Sequence, residues 1–253
     1  MSKVITVNIH KGGVGKSTII QQLAGVYANQ GLKVVVVDGD VTASSMRFFV
    51  NRNVILESDH QLNKMPYVKC ELHSPESDIR QVVKQLKTQF DIILIDTKGG
   101  PSNLFTKIIQ MSDLVLIPVT ADAMSFDQLH STFSDIQQVE NNIRAVDGWE
   151  DYVVDVRIVL NRTVKSSIAH SEALSVIRKF KVNYNFTKTI IPNITALAGF
   201  AANSLGATLA DNKHPKRAIF ELLAAELLLS HDDVSDVQDA SVGGELLTEI
   251  VSV

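Results

Sequence analysis

A glycine-rich run near the start of the chain constrains the fold more than any other feature. It lies between a β-branched apolar run, residues 4–9, and a helical pattern, residues 17–30, and it reads Lys11-Gly12-Gly13-Val14-Gly15-Lys16-Ser17-Thr18. Glycines between a strand and a helix let backbone N–H groups form a nest for an anion, and the helix N-terminus adds its positive dipole end. The order strand, glycine loop, helix therefore predicts a phosphate site.

Two residues at the end of this run predict what is bound. Lys16 would contact β- and γ-phosphates, and the Ser17 hydroxyl would ligate Mg²⁺. The run is a variant of the common phosphate-loop pattern, because His10 occupies the position of the usual first glycine. A glycine-rich turn without a ligand would require neither the lysine nor the hydroxyl. We therefore predict a site for ATP and Mg²⁺ built from residues 11–18.

Short apolar runs alternate with helical patterns along the chain. The apolar runs cover residues 4–9, 33–37, 91–95, 114–117, 153–160 and 187–191, and the helical patterns cover residues 17–30, 77–88, 125–144, 167–181 and 215–229. This alternation predicts an α/β fold, a doubly wound and mostly parallel sheet with helices on both faces. Ligands of such sheets bind beyond the carboxyl ends of the strands, and the apolar runs end at Asp38, Asp96, Pro118, Asn161 and Pro192.

Composition indicates the cellular compartment and the number of domains. The single cysteine, Cys70, excludes a disulfide framework and a cysteine cluster within one chain. No signal peptide is visible, and no apolar run approaches the roughly 20 residues that span a bilayer. We therefore expect a cytoplasmic protein with one ATPase domain, residues 1–230. An acidic tail, residues 231–253, would be disordered or would hold one short helix.

Charge is distributed unevenly along the chain. The tail has six acids and no Lys or Arg, whereas residues 157–217 have ten Lys or Arg and two acids, a net charge of +8. A concentrated positive segment favours a polyanionic partner. The alternative is a solvated surface with scattered charges.

The second lysine of the loop, Lys11, makes the run resemble the deviant Walker A motif of the ParA/MinD family of ATPases, especially the small ParA-type partition ATPases. The resemblance extends over most of residues 1–230. It implies that Lys11 crosses a dimer interface and contacts the phosphates of ATP in a second subunit. Two nucleotides buried face to face crowd their charges, and an added lysine offsets that repulsion. The resemblance therefore implies an ATP-dependent homodimer; the alternative is a surface lysine beside the loop.

The same resemblance assigns roles to three carboxylates. The family pattern Asp-x-Asp-Pro-Gln keeps its two acids here as Asp38 and Asp40, but residues 41–42 are Val-Thr. Asp40 would position or activate the attacking water, and Asp38 would lie near the Mg²⁺ shell. Asp96 ends a Walker B strand and would hold Mg²⁺ through water. The predicted catalytic residues are thus Lys11, Lys16 and Asp40, and the predicted metal residues are Ser17, Asp38 and Asp96.

The second switch departs from the family pattern. The family continues from the Walker B acid with Thr or Cys and then Pro-Pro-Gly, whereas this chain has Lys98-Gly99-Gly100-Pro101 after Thr97. Lys98 could face phosphate or bind a partner, and the two glycines predict a mobile loop.

Two further sites follow from the resemblance. Asn161 and Pro192 would line the adenine pocket; the alternatives are a strand-end cap and a loop proline. Many ParA-type proteins bind DNA without reading its sequence when they are ATP-bound dimers, through neutralisation of phosphates. The best candidates for such contacts here are Arg178, Lys179, Lys181, Lys188, Lys213, Lys216 and Arg217.

These expectations combine into a cycle. An ATP-bound dimer would bind nucleoid DNA non-specifically, and a cargo-bound partner protein would stimulate slow hydrolysis and release it. Repeated cycles would position a plasmid, a chromosome region or a protein assembly. No stable membrane association is expected, because the tail lacks the basic amphipathic helix of MinD-type relatives. Two alternatives remain: a MinD-like membrane-cycling regulator, and a nucleotide-dependent binding module without a partition role.

Overall fold

The computed structural model describes residues 2–40, 42–58, 65–73, 78–97, 103–164, 171–172, 174–175, 185–197 and 207–229. Within these ranges the chain forms seven strands and six helices. The strands are β1 (Lys3–Val7), β2 (Val34–Asp38), β3 (Lys69–Leu72), β4 (Ile92–Asp96), β5 (Leu114–Thr120), β6 (Val156–Asn161) and β7 (Asn185–Phe186). The helices are α1 (Lys16–Asn29), α2 (Ser44–Ser58), α3 (Ile79–Leu86), α4 (Asn103–Met111), α5 (Ala123–Arg144) and α6 (Arg217–Leu228).

The strands of the described residues form one parallel sheet, in the order β3-β2-β4-β1-β5-β6-β7. At its centre, Val7 at the end of β1 pairs with Asp96 of β4 and with Leu116 of β5. Parallel pairing brings the carboxyl ends of all these strands to one edge of the sheet. The predicted doubly wound α/β fold is confirmed.

Helices cover both faces of the sheet. The helices α1 and α6 pack on one face, where Tyr27 and Phe220 are completely buried. The helices α3, α4 and α5 cover the other face, where Val83, Ile108 and Leu129 are buried. Because the central strands are buried on both faces, they need apolar residues at nearly every position. This requirement explains the continuous apolar runs in the sequence.

Two strand predictions needed correction. The run at residues 187–191 was predicted to be a strand, but the strand is β7, just before it, and the run continues as irregular chain with an isolated bridge from Pro192 to Thr163. Strand β5 does not end at Pro118 but continues to Thr120. Proline is tolerated there because its nitrogen faces β1, and the ladder with β1 ends at Leu116.

Three elements were not predicted: α2, β3 and α4. Strand β3 lies at the edge of the sheet, where three of its residues are partly buried and Leu72 is exposed, so its sequence, Lys-Cys-Glu-Leu, carries no apolar run. Helix α2 is only weakly amphipathic, because polar and apolar residues are mixed around its buried aromatic residue, Phe49. Most of the helix predicted at residues 167–181, and the whole tail at residues 231–253, lie outside the described residues.

A buried ion pair ties α2 to the segment that precedes α6. The side chains of Arg52 and Asp211 are fully buried, and the Arg52 guanidinium donates two hydrogen bonds to Asp211, of 2.8 and 2.9 Å. Thr208 donates from its backbone and its hydroxyl, and Asn29 from its amide. Although burial opposes ionisation, these donors keep the pKa of Asp211 below its usual value. The pair therefore joins α1, α2 and the chain around residue 208.

Removal of one partner should destabilise the protein strongly. Asp211→Asn is expected to lower the free energy of unfolding by about 3–5 kcal/mol, because it leaves the Arg52 charge buried without its counter-ion. The matched control, Glu221→Gln, breaks the exposed pair with Arg217 and should cost less than about 1 kcal/mol. Urea unfolding followed by circular dichroism measures both, and equal losses would contradict the expectation.

Candidate nucleotide-binding site

The glycine loop leaves β1 and enters α1 through a left-handed backbone conformation. Gly13 and Gly15 have φ angles of +76° and +94°, which side chains other than glycine rarely adopt. Gly15 is the N-cap of α1, and no side chain caps this helix end within the described residues. The first amides of α1 are therefore available to an anionic ligand, which is the arrangement that the sequence predicted.

The end of β6 braces the loop from the side. The Asn161 amide donates a hydrogen bond of 2.7 Å to the carbonyl of Val14, and the Arg162 guanidinium donates one of 2.7 Å to the carbonyl of Gly13. Arg162 has a φ of +56°, and its own N–H donates to the Asn161 side chain. Two side chains thus fix two successive carbonyls of the loop, which holds its backbone in one conformation.

A cavity of about 430 Å³ opens above the loop. It brings together seven of the residues predicted from the sequence with two that were not predicted, His10 and Arg162; the predicted ones are Gly12, Gly13, Gly15, Lys16, Ser17, Thr18 and Asp40. Other predicted residues do not line this cavity: Lys11, Val14, Asp38, Asp96, Asn161 and Pro192. The adenine-binding roles of Asn161 and Pro192 stay predictions; in this structure Asn161 braces the loop.

Lys16 lines the cavity with an ammonium group, together with the guanidinium of Arg162. Its ammonium group donates a hydrogen bond of 2.9 Å to the carbonyl of Lys11, so the side chain folds back along the loop. Burial lowers the pKa of Lys16, and the nearby carboxylates of Asp96 and Asp40 partly oppose that effect. A phosphate group in the cavity would provide a counter-charge for this half-buried ammonium.

Lys11 points away from the cavity and is held by its own subunit. Its Nζ lies 2.7 Å from Asp122 Oδ1 and donates to Ser125 Oγ at 3.0 Å. Asp122 is the N-cap of α5 and also accepts from Thr120 and Ser125. Partial burial opposes its ionisation, but these hydrogen bonds, that of Lys11 first, lower the pKa of Asp122 to about 2. The predicted contact of Lys11 with a second subunit stays a prediction.

Asp38 and Asp40 form one unit at the end of β2. Asp38 is fully buried; its two carboxylate oxygens accept hydrogen bonds from the backbone N–H groups of Asp40, at 3.0 Å, and of Met46, at 2.9 Å. Asp38 therefore shapes the loop that carries Asp40 to the cavity. The Asp40 carboxylate accepts from the Thr42 N–H at 2.8 Å. The predicted place of Asp38 near Mg²⁺ stays a prediction.

Asp96 lies at the end of β4, close to the start of α1. It is 1% exposed, and its Oδ2 accepts a hydrogen bond of 2.7 Å from Ser45, while Oδ1 has no partner among the described residues. Burial raises the pKa of Asp96 to about 6, against the opposing effects of hydrogen bonds from Ser45 and Ser17. A buried carboxylate oxygen without a partner, beside the Ser17 hydroxyl, fits the oxygen ligands that Mg²⁺ prefers.

Sequence reasoning missed three residues of the site. The His10 Nε2 lies 3.1 Å from Asp135 Oδ2, and its ring packs edge-on against Phe105, so it connects the loop to α4 and α5. His10 directly precedes the glycine loop and Arg162 directly follows Asn161, so their places beside predicted site residues could have indicated them. Ser45 gave no such signal, because the start of α2 was not recognised.

The tertiary structure uses several cations of the basic segment internally. Arg157 is 3% exposed, is paired with Asp155, and donates to the carbonyls of Glu226 and Leu229 at the end of α6. Of the DNA-contact candidates, Arg217 pairs with Glu221, while the exposed ones are Lys188, Lys213 and Lys216. Arg178, Lys179 and Lys181, like Lys98, lie outside the described residues.

Comparison with known proteins now identifies the family. The family described as ATPase MipZ matches residues 3–168, more than half of the chain, which include the glycine loop, Asp40, Asp96 and the end of β6. This chain belongs to that family of ATPases. The resemblance to ParA/MinD-type ATPases that the loop predicted is confirmed, because curated relatives include proteins named MinD and ParA.

These relatives and one solved structure show how far the likeness extends. The MinD protein of Helicobacter pylori is 25% identical over 205 residues, which is 72% of this chain and 75% of that protein. A ParA protein of Rhizobium radiobacter is 29% identical over 121 residues, which is 48% of this chain and 50% of that protein. The MinD structure from Pyrococcus horikoshii, complexed with Mg-ADP, superposes with a TM-score of 0.65 at 18% identity, covering 94% of this chain and 99% of that one, and shares the fold.

A methyl group at Gly15 should disrupt the loop, whereas one at Gly12 should not. A Cβ at Gly15 would lie 2.6 Å from the Asn161 amide and would require a strained φ, but a Cβ at Gly12 would meet no atom within 4 Å. Gly15→Ala should cost about 2 kcal/mol of folding stability, and Gly12→Ala should stay within about 0.5 kcal/mol. Thermal unfolding without nucleotide measures the stability of both variants. Similar losses would contradict the role of Asn161 in holding the loop.

Asp96→Asn should stabilise the nucleotide-free protein in a pH-dependent way. Because the pKa is about 6 in the native state and near 4 in the unfolded chain, the native state binds more protons between these values. Ionisation of Asp96 therefore costs stability as the pH rises through this window, by about 2–3 kcal/mol once it is complete. The variant should raise Tm by several degrees at about pH 8 but by much less at about pH 4.5. A pH-independent change would disprove the burial penalty.

Proposed function

We propose that this protein is an ATP- and Mg²⁺-dependent switch that hydrolyses ATP, forms a homodimer in its ATP state and positions a cargo. The observation that carries the proposal is the different placement of two lysines in one loop. Lys16 lies in the cavity, whereas Lys11 extends out of it to Asp122 and Ser125. Lys16 would serve the nucleotide of its own subunit, and Lys11, once released from Asp122, would serve the nucleotide of a second one.

Binding of ATP would use the prepared loop. The amides at the start of α1 and the Lys16 ammonium would hold the β- and γ-phosphates, and Ser17 and Asp96 would hold Mg²⁺, which neutralises phosphate charge when it is bound. Support comes from the buried and unpartnered Asp96 Oδ1. Further support comes from the MinD structure complexed with Mg-ADP, which has the same fold.

Hydrolysis would depend on Asp40, which lines the cavity together with Lys16. In this structure its carboxylate accepts a hydrogen bond from the Thr42 N–H, so part of its acceptor capacity is used within its own loop. We infer that this carboxylate would have to turn toward a water molecule before it could act, and that basal hydrolysis would therefore be slow. A cargo-bound partner protein that stabilises the turned position would accelerate the reaction.

Dimerisation would require Lys11 to exchange one anion for another. Its ammonium group is neutralised by Asp122 in the single chain. A triphosphate with Mg²⁺ in a facing subunit carries more negative charge than one carboxylate, so ATP on both subunits would favour the exchange. The nucleotide would then be part of the interface, and its hydrolysis would weaken the dimer.

DNA is the proposed surface on which the dimer moves. DNA binding is supported by the similarity to a ParA protein and by three exposed lysines, Lys188, Lys213 and Lys216. Arg178, Lys179, Lys181 and Arg217 remain further candidates for phosphate contacts. A plasmid, a chromosome region or a protein assembly would be the cargo, and the protein would associate with the nucleoid of the cytoplasm.

A MinD-like membrane cycle is the second candidate function. The Helicobacter pylori MinD protein matches over 72% of this chain, a larger share than the ParA relative. None of the helices in the described part of the chain has both the length and the hydrophobicity needed to cross a bilayer. In a MinD-like cycle, the contact with the membrane surface would depend on ATP.

The two lysines should separate ATP binding from dimerisation. Lys16→Ala is expected to weaken ATP binding by roughly 100-fold, because a charged hydrogen bond to phosphate is lost. Lys11→Ala should bind ATP normally as a monomer but should not form the ATP-dependent dimer. Lys84→Ala, at an exposed position on α3, is the matched control and should behave like the natural protein. Calorimetry measures the affinity and sedimentation velocity the dimer; a Lys11→Ala dimer would refute the role of Lys11.

Two surfaces offered in parallel should distinguish the candidate functions. With ATP, the protein is expected to bind random-sequence DNA with an affinity that falls steeply with salt, and Lys213→Ala with Lys216→Ala should reduce it. Anionic liposomes should not pellet the protein. ATP-dependent pelleting without DNA binding would instead establish the membrane cycle, and binding to neither surface would leave a nucleotide-dependent binding module.

A further inference from the structure

The turn between α5 and β6, residues 145–155, is held rigidly to the rest of the fold. The Arg144 guanidinium donates to the carbonyl of Tyr152 at 2.7 Å, and the Glu140 carboxylate accepts from the Val154 N–H at 2.8 Å. Gly148 has a φ of +86°, which gives the turn its tight bend. The turn is therefore a fixed platform, built by two polar anchors from the last turns of α5.

This platform exposes large apolar side chains that a solvated turn does not need. Val146, Trp149 and Val153 are 56%, 54% and 68% exposed. Trp149 packs edge-on against Tyr152 with a centroid distance of 5.9 Å, which holds the indole in place. It is also the only tryptophan of the chain. Preorganised, exposed aromatic residues are the anchors that protein interfaces use most.

The charge around these side chains is negative. Residues 145–156 include no Lys or Arg, and Asp147, Glu150 and Asp151 lie among the exposed apolar residues. None of these three carboxylates forms an ion pair with any residue that the structure describes, whereas the fourth acid of the turn, Asp155, pairs with Arg157. The platform is thus an apolar surface with three carboxylates that lack an ion-pair partner among the described residues, beside the Arg144 guanidinium, which pairs with Glu140.

We propose that this acidic platform, residues 145–155, is a docking surface for a basic segment of a partner protein that carries apolar side chains. Cations of the segment neutralise Asp147, Glu150 and Asp151, and an apolar side chain covers Trp149. The acidic field repels DNA and anionic lipid. It also repels the tail of this chain, which has six acids and no Lys or Arg. Charge therefore selects a cationic polypeptide among the possible occupants.

The position of the platform allows docking and nucleotide binding at the same time. The turn leads into the first residue of β6, at the amino-terminal edge of the sheet, whereas the glycine loop lies at the carboxyl edge, about 20 Å away along the strands. A partner at residues 145–155 leaves the cavity and Lys11 uncovered. The docking does not rest on ATP binding, so the Lys16→Ala protein should dock as well as the natural one.

Trp149 is a built-in reporter for the test. The full chain is titrated with a short synthetic peptide of alternating lysine and leucine, and the indole emission is followed. A saturable blue shift is expected, because the peptide removes water from Trp149. A peptide of alternating glutamate and leucine should cause no shift. No shift with the lysine peptide would overturn the proposal.

Variants locate the contact. Neutralisation of the three carboxylates, Asp147→Asn, Glu150→Gln and Asp151→Asn together, should weaken peptide binding by about tenfold or more. Leu222→Ala removes an apolar residue of α6 that is 49% exposed and should change nothing. Unchanged binding by the triple variant would overturn the proposal. A blue shift with random-sequence DNA or anionic vesicles would overturn the assigned partner class. If the Trp149→Ala variant differs from the natural protein in self-association, the surface would instead be a contact with a second copy of the chain.

Discussion

The parallel pairing of β1 with β4 and β5 is the constraint on which the site depends. It places Val7 beside Asp96, so the glycine loop that follows β1 begins next to the Walker B carboxylate. The same register places the end of β5, and with it Asp122, within reach of Lys11. Every strand of the described sheet runs in the same direction, so the loops that carry lysines and those that carry aspartates lie at the same edge. The sheet thus brings the predicted site residues together at one edge.

Concentration of charge at this edge has a cost in stability. Asp96 is almost completely buried and one of its oxygens has no partner among the described residues, while Lys16 is half-buried with a lowered pKa. Two other buried cations in the described part of the chain have carboxylate partners, Arg52 in Asp211 and Arg157 in Asp155. A ligand with phosphate and a divalent cation would supply counter-charges for Lys16 and Asp96. Ligand binding and folding stability are therefore linked at the same residues.

Helix α5 connects features that lie far apart in the molecule. Its N-cap, Asp122, holds Lys11, and Asp135 in its middle lies against His10, so both residues before the glycines contact this helix. Its C-terminal end anchors the acidic platform through Arg144 and Glu140. At 22 residues the helix is about 33 Å long. One rigid element thus joins the lysine proposed to reach a second subunit with the surface proposed to receive a partner.

The fold class and the phosphate loop were predictable from the amino-acid sequence alone. Apolar runs that are buried on both faces leave a continuous signal, and a glycine loop needs particular residues at fixed spacing, so both could be recognised locally. Weakly amphipathic α2 and the exposed edge strand β3 left no such signal, and with α2 the role of Ser45 was missed. Local sequence also could not show that Arg157 and Arg217, counted as free cations, have partners in Asp155 and Glu221. Folding determines which charges are paired, how Asn161 and Arg162 hold the loop, and where Lys11 points. Each of these depends on residues that are distant in the chain and adjacent only after folding.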